Sequence, residues 1–288
     1  MPQGSAHTPE PAIAQRLGTD FEKQVFAAAL QSLAQLENPL RLNHFATSIR
    51  ELSRIVLRRL APDSEITACA WYTPGQNRGA QSSITRAQRI KFAVQAGLLD
   101  SFVQNTLLVG VDQMQSDLVD AIDELSKYTH ITPAVFGIAG LPLDTIVTET
   151  LEAFLAFLEM IDDCRAAVAN AVEGCARRAL HDELLSTTVN ELDQLATHYR
   201  VEDTQIETVS ITSMDAAQIR FSVTGSVECE FQYGSGGDVS RGDGWVTTDS
   251  YPLTCAFEAS ITSPLQVTAL RPTLEVDNNS FYSELPED

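Results

Sequence analysis

Leu125-Ser-Lys-Tyr-Thr-His130 brings a cation, a phenol, a hydroxyl and an imidazole to one expected helix end. An imidazole can take the proton of a ribose 2′-hydroxyl while a nearby cation stabilises charge on the attacked phosphate. His130 is the candidate base and Lys127 the local cation. Arg50 or Arg54 supplies a stronger cation if the helix that carries them packs alongside. The competing reading is a histidine that caps a helix C-terminus, where the helix dipole favours its charged form.

A second constellation is electrostatic. The chain carries a formal charge of −20, yet residues 41–91 hold nine basic side chains against Glu51, Asp63 and Glu65. Arg50, Arg54 and Arg58 form an i, i+4, i+8 row on an expected helix. Like charges at that spacing repel by a few tenths of a kcal/mol per pair. Something anionic should therefore face the row. With Arg86, Arg89 and Lys91 it makes a candidate surface for nucleic-acid phosphate. The competing reading pairs these arginines with the protein's own surplus of carboxylates.

A third set lies late in the chain. Glu228 and Glu230 share one face of an expected strand and could hold Mg²⁺ or Mn²⁺ as part of a nuclease centre. A restriction-endonuclease-like site needs an upstream Asp and then Glu-x-Lys. Asp215 with Glu230-Phe-Gln232 is a degenerate version, and a solvated outer face is the simpler reading. Gly234 to Gly244, with Asp238, Arg241 and Asp243, is read as a hairpin connection whose backbone N–H groups could also hold an anion. No phosphate-binding loop, dinucleotide fingerprint, HExxH or nucleophile elbow occurs, which removes kinases, ATPases and zincins.

The elements that must position these residues follow from periodicity. Residues 1–19 are rich in Pro, Gly, Ser and Ala and are expected to be a mobile tail. Apolar residues at helical spacing predict helices over Phe21–Leu36, Asn43–Leu60, Arg86–Leu99, Asp112–Tyr128 and Thr145–Gly174, continuing from Cys175 to Tyr199. Asp20, Thr85 and Asp144 are the expected N-caps. Cys69–Ser83 reads as irregular. Near Arg200 the period changes to two: Ile219 to Tyr233 alternate without a miss, and Gly225 is expected at a bulge or bend. Trp245–Thr248, Leu253–Ile261 and Leu265–Val276 read as further strands, with Pro264 and Pro272 keeping them at edges or ends. The expected class is α+β: a helical bundle over 20–200, long connecting helices included, then a small antiparallel β domain over 201–288.

The residues 1–18 lack a basic start followed by an apolar run, and no run of about 18 uncharged apolar residues is present. Five cysteines, an odd number without a CxxC pair, fit reduced thiols and no structural zinc. A cytoplasmic protein is expected.

Two resemblances add to this reading. A helical bundle with a histidine near a helix end resembles metal-independent RNases of the HEPN class. Their arginine is absent at that spacing here, and Lys127 is a poor substitute. The chain as a whole is similar to a prokaryotic family called predicted pPIWI-associating nucleases. The likeness rests on Asn38-Pro-Leu-Arg-Leu-Asn-His-Phe-Ala46 with Arg50-Glu-Leu52, Trp71-Tyr-Thr-Pro74, Ile84-Thr-Arg-Ala-Gln-Arg89, Gln95-Ala-Gly97 and Leu125–His130. It continues with Gln232-Tyr-Gly-Ser235, Arg241-Gly-Asp-Gly244 and Val276-Asp277, covering about residues 25–282. The resemblance implies a nuclease-like or nucleic-acid-sensing role in defence against phage or plasmids. It carries over no catalytic residues. The alternatives are a non-catalytic adaptor or assembly subunit, and an acidic chain that neutralises a basic partner. Expected partners are proteins encoded nearby or further copies of the chain, with nucleic acid and without membrane.

Overall fold

The computed structural model describes residues 9–74, 84–271 and 273–283. Arg78, Pro272 and the first eight residues of the expected tail lie outside them. So does the irregular stretch beyond Pro74. The chain divides into two compact units, one ending at Cys164 and one beginning at Arg165. That division falls inside a helix, rather than near residue 200 where the sequence period changes.

In the first unit, α1 (Pro9–Arg16) replaces the expected tail over its length. Ile13 is fully buried and Leu17 nearly so, which anchors the segment. Arg16 also reaches Asp162 at 3.0 Å. Composition suggested a tail because the two anchoring residues are only four apart and no longer period supports them. α2 (Asp20–Ala34) starts one residue earlier than the expected cap implies. Thr19 is the N-cap, and Glu22 closes a capping box with it. Two backbone donors at the helix start are thus satisfied.

α3 (Arg41–Leu60) carries the apolar stripe Phe45, Ile49, Leu52 and Val56, each 1 % exposed or less. Burying each of these contributes roughly 1.5–3 kcal/mol. That outweighs the few tenths per pair by which the arginine row on the other face opposes the helix. α4 (Asp63–Ala68) is a short helix that the sequence reading left out. α5 (Arg86–Gln95) begins at the expected Thr85, with Gln88 completing a capping box. It ends four residues before the expected Leu99, because Ala96 takes a positive φ of 48°. α6 (Asp100–Asn105) and α7 (Val111–Ser126) follow. Met114, Leu118, Ile122 and Leu125 face inward along α7, as the spacing predicts.

α8 (Leu141–Ser186) runs through Gly174 without a break. A Cβ at Gly174 would meet nothing within 4 Å, so no close approach explains the glycine. The helix ends well short of Tyr199. α9 (Asn190–Asp193) is a single turn, and β1 (His198–Met214) has begun before Tyr199.

In the second unit β1 pairs antiparallel with β2 (Gln218–Tyr233). α10 (Gly236–Arg241) stands where a plain turn was expected: Ser235 and Asp238 form a capping box, and Gly242 ends the helix at φ 82°. β3 (Trp245–Ser260) is one strand where two were expected, paired along its length with β2. β4 (Val267–Ala269) and β5 (Glu275–Val276) are short strands that both pair with β3. They replace the expected strand over Leu265–Val276. α11 (Asn279–Ser283) follows. The alternation along β2 holds: Ile219, Phe221, Val223, Val227, Cys229 and Phe231 are buried. The expected class, helices and then an antiparallel sheet, is the observed one.

The bulge expected at Gly225 falls on the partner strand: β1 shifts register between Ile206, paired with Gly225, and Thr208, paired with Thr224. All five cysteines are free thiols. Burial pushes the Cys229 thiol up to about 12, so it is held protonated. Among the described residues no helix is long and apolar enough to cross a membrane.

Candidate functional site: an arginine-walled groove

The first unit contains a groove of about 270 Å³ between α3, α5 and α7. α3 supplies Arg50, Glu51, Ser53, Arg54, Leu57 and Arg58. The start of α5 supplies Arg86 and Arg89, preceded by Ile84, and α7 supplies Ile122. Five arginines therefore surround one space on a chain of net charge −20. Helical geometry explains both walls. Residues four apart share a face, which places Arg50, Arg54 and Arg58 in line, and the three-residue step from Arg86 to Arg89 does the same on α5.

The arginines are not equally engaged. Arg54 reaches Glu51 at 2.6 Å, one turn away on the same helix. Arg86 reaches Asp123 at 2.5 Å. Arg89 pairs with Asp63 at 2.7 Å and donates to the Ala61 carbonyl at 2.9 Å, a cation placed on the C-terminal end of α3. The hydrogen bond from Arg89 holds the Asp63 carboxyl below the usual carboxylate range. Arg50 and Arg58 are exposed and make no ion pair or side-chain hydrogen bond among the described residues, although the Arg58 charge also helps to lower Asp63. Exposed ion pairs such as Arg54–Glu51 and Arg86–Asp123 contribute about 0–1 kcal/mol each. A phosphate can therefore compete with Glu51 and Asp123 for the arginines they hold.

Five of the six residues expected to meet phosphate thus come together. Lys91 does not. It sits 2.7 Å from the Asp100 carboxylate and over the Trp71 ring, 4.7 Å from its centroid. Burial opposes ionisation of Asp100, but the hydrogen bonds from Lys91 and Gln95 overcome it and hold the carboxyl below its usual range. The spacing carried this signal: five residues from Arg86, Lys91 falls on another face of α5. Arg59, next to the row, is likewise turned away, toward Glu22. Leu57, Ile84 and Ile122 add apolar surface to the groove. Of these only Ile122 belongs to an apolar stripe read from the sequence, and it is read there as core.

The four candidates for RNase chemistry are not brought together. Arg50 and Arg54 line the groove, and neither Lys127 nor His130 does. Helices α3 and α7 do pack side by side. Buried Asn43 donates to the Tyr128 carbonyl at 2.7 Å. That contact lies at the N-terminal end of α3, about 10 Å along the helix from Arg50. Lys127 is instead hydrogen-bonded to Glu124, which raises its pKa and keeps it charged. His130 is exposed, four residues beyond the end of α7.

Among the described residues no three His, Cys, Asp or Glu side chains could hold a metal ion together. Glu228 is exposed, and Glu230 lies 3.7 Å from Arg200 on the neighbouring strand. Asp215 accepts from the backbone N–H groups of Ala217 and Gln218 at the β1–β2 turn. Glu230 lies some twelve residues further along β2, roughly 40 Å at strand rise. The Asp215–Glu230 arrangement therefore cannot be one metal centre. Glu228 and Glu230 alone give two carboxylates with a guanidinium beside one of them, which does not fit a divalent ion held by several oxygens. Asp238 and Arg241 are engaged within α10, and Asp243 follows its end.

No curated protein and no solved structure matches the chain. Two family profiles do, both described as predicted pPIWI-associating nuclease: one over residues 14–154, the other over residues 161–282. The gap between them falls in α8, just before Cys164, where the two compact units also divide. Sequence profile and contact pattern agree on a two-part protein that carries its arginine groove in the first part, and the chain belongs to the predicted pPIWI-associating nuclease family.

Proposed function

We propose that this protein is a nuclease-like, nucleic-acid-binding component of a prokaryotic defence system against phage or plasmids, acting in the cytoplasm. The arginine groove is its phosphate-binding surface. The observation that carries the reading is the groove itself: five arginines around about 270 Å³, two of them outside any ion pair among the described residues, on a strongly acidic chain. Membership of a predicted nuclease family supports it. So does elementary electrostatics, because an acidic protein repels polyanions except where such an island overrides its net charge.

A second reading has a specific observation in its favour. The side chains that sequence put forward for chemistry, His130 and Lys127, stand outside the groove, and no described carboxylates gather into a metal centre. On that reading the protein is a non-catalytic subunit that holds nucleic acid for a protein encoded nearby or for another copy of itself. The two readings separate in one experiment. Purified protein is incubated with RNA and with DNA, with and without Mg²⁺ or Mn²⁺, alone and with the proteins encoded beside it, and binding and cleavage are scored separately. Binding with cleavage supports the nuclease, and binding without cleavage supports the subunit. Absence of binding at low salt removes both.

A further inference from the structure

We infer that the groove takes an unpaired polynucleotide strand and not a duplex. The inference rests on the phosphate-binding reading above and names the substrate class for that site. Three observations carry it.

The first is the placement of charge. Arg50, Arg54 and Arg58 lie on α3, while Arg86 and Arg89 face the same space from α5. Cations on two walls of a cleft can reach both sides of a strand lying in it. A flexible single strand can bend into such a recess, whereas a duplex, a stiff cylinder with its phosphates outside, meets it only at the rim.

The second is pitch. Successive arginines of the α3 row are separated by about 6 Å of helix rise. That is comparable with the separation of neighbouring phosphates along one strand, so the row can follow a single backbone along the positively charged groove. Arg50 and Arg58, which make no ion pair among the described residues, stand at the ends of the row, and Arg54 between them is paired with Glu51.

The third is the lining that remains. Leu57, Ile84 and Ile122 offer apolar surface to a base, and among the described residues no aromatic ring lines the groove. Base stacking on aromatic rings is what usually adds sequence-tolerant affinity beyond charge. Without it the strand is held mainly through its backbone, so binding should depend steeply on salt and little on base identity.

The test is fluorescence anisotropy with the full-length protein and labelled single-stranded RNA, single-stranded DNA and the duplex of the same sequence, across a salt series. The expected result is at least tenfold tighter binding of one or both single strands than of the duplex. The RNA and DNA arms show whether the 2′-hydroxyl contributes. Arg50→Ala and Arg58→Ala should each weaken single-strand binding about five- to tenfold and lower the salt slope by about 0.7. Arg220→Ala, on the sheet of the second unit, should leave it unchanged. Both groove arginines are exposed, so the variants should keep the wild-type circular dichroism spectrum and melting temperature. Equal binding of duplex and single strands, with the same loss in both variants, overturns the inference and leaves phosphate binding in place. Binding of neither overturns both.

Discussion

Arg59 Nε stands 2.6 Å from Oε1 of Glu22, a carboxylate with no solvent exposure. The second oxygen of Glu22 accepts from Arg59 Nη2 and from the backbone N–H groups of Gly18 and Thr19. One buried charge therefore joins the α1–α2 connection to the C-terminal end of α3. A Cβ on Gly18 would lie 2.7 Å from the Arg59 guanidinium, so the glycine is what lets the arginine lie there. Removing one partner of a buried pair leaves the other uncompensated, at a cost of about 3–5 kcal/mol. Arg59 is partly exposed, so Arg59→Ala should fall near the lower end. Arg59→Lys should recover only part of the loss, because a lysine cannot reproduce the fork of two N–H donors. Urea unfolding of the three proteins checks this. Arg59→Ala as stable as wild type would show the pair to be incidental.

In the second unit Glu183 plays a comparable part, and pH reports on it. Its side chain is almost wholly buried and lies 2.7 Å from Arg271 Nε. It also accepts from Thr187 at 2.9 Å. The hydrogen bond from Arg271 outweighs burial and holds the Glu183 carboxyl below the usual carboxylate range. A depressed folded value means that the unfolded chain takes up this proton first as pH falls. The stabilisation is complete above the unfolded value, about 4.3, and is lost as pH falls through the lower folded one. Asp63 and Asp100 are lowered too and add the same sign. The Glu183→Gln variant isolates the contribution of Glu183. Its melting temperature should fall less steeply than that of wild type below about pH 4.3. Parallel slopes would show that the pair contributes nothing to acid sensitivity.

Gly225 is predicted to be the least replaceable residue of the sheet. An added Cβ would lie 2.0 Å from the Gln205 carbonyl oxygen, which belongs to the backbone of β1 and cannot rotate away. Relief requires the β1–β2 ladder to part where its register already shifts. Gly225→Ala should therefore cost more than the typical single substitution of about 1 kcal/mol and reach about 4 kcal/mol or more. Thermal melting, with Thr224→Ala as the control, measures it. A loss no larger than that of the control would mean that the bulge absorbs the methyl group.

Most of the fold could be read from periodicity, and the failures have local causes. The stripes on α3 and α7 and the alternation along β2 are long enough to be unambiguous, and each buried face is the expected one. β1 was not delineated because its edge position leaves most of its residues exposed, so no alternation marks it. The breaks proposed at Gly174 and between Thr248 and Leu253 rested on single residues and weak segments. Neither overcame the continuity of its element. The groove was half legible. Helical spacing placed Arg50, Arg54 and Arg58 in line, but nothing in the sequence fixes the packing that sets Arg86 and Arg89 opposite them. Residue type and nearness to a helix end do not fix what lies across from His130, which does not line the groove.

Asp123 offers the sharpest division between a groove built for a ligand and arginines that merely balance the protein's own acids. Its carboxylate is exposed and lies 2.5 Å from Arg86. If Arg86 serves the groove, Asp123 competes with the incoming phosphate, and releasing the pair makes another cation available. Exposed pairs are worth at most about 1 kcal/mol, so Asp123→Asn should tighten polynucleotide binding about two- to fivefold. With one more cation free to displace a counterion, the salt dependence should also become steeper. Stability should change little. Glu51→Gln, which frees Arg54 in the same way, should act in the same direction. If the arginines exist to satisfy the carboxylates, both substitutions lower the melting temperature and leave binding where it was. Anisotropy titrations at two salt concentrations, read beside a melting curve, distinguish these outcomes, because the gain in affinity and the loss in stability belong to different accounts of the same five residues.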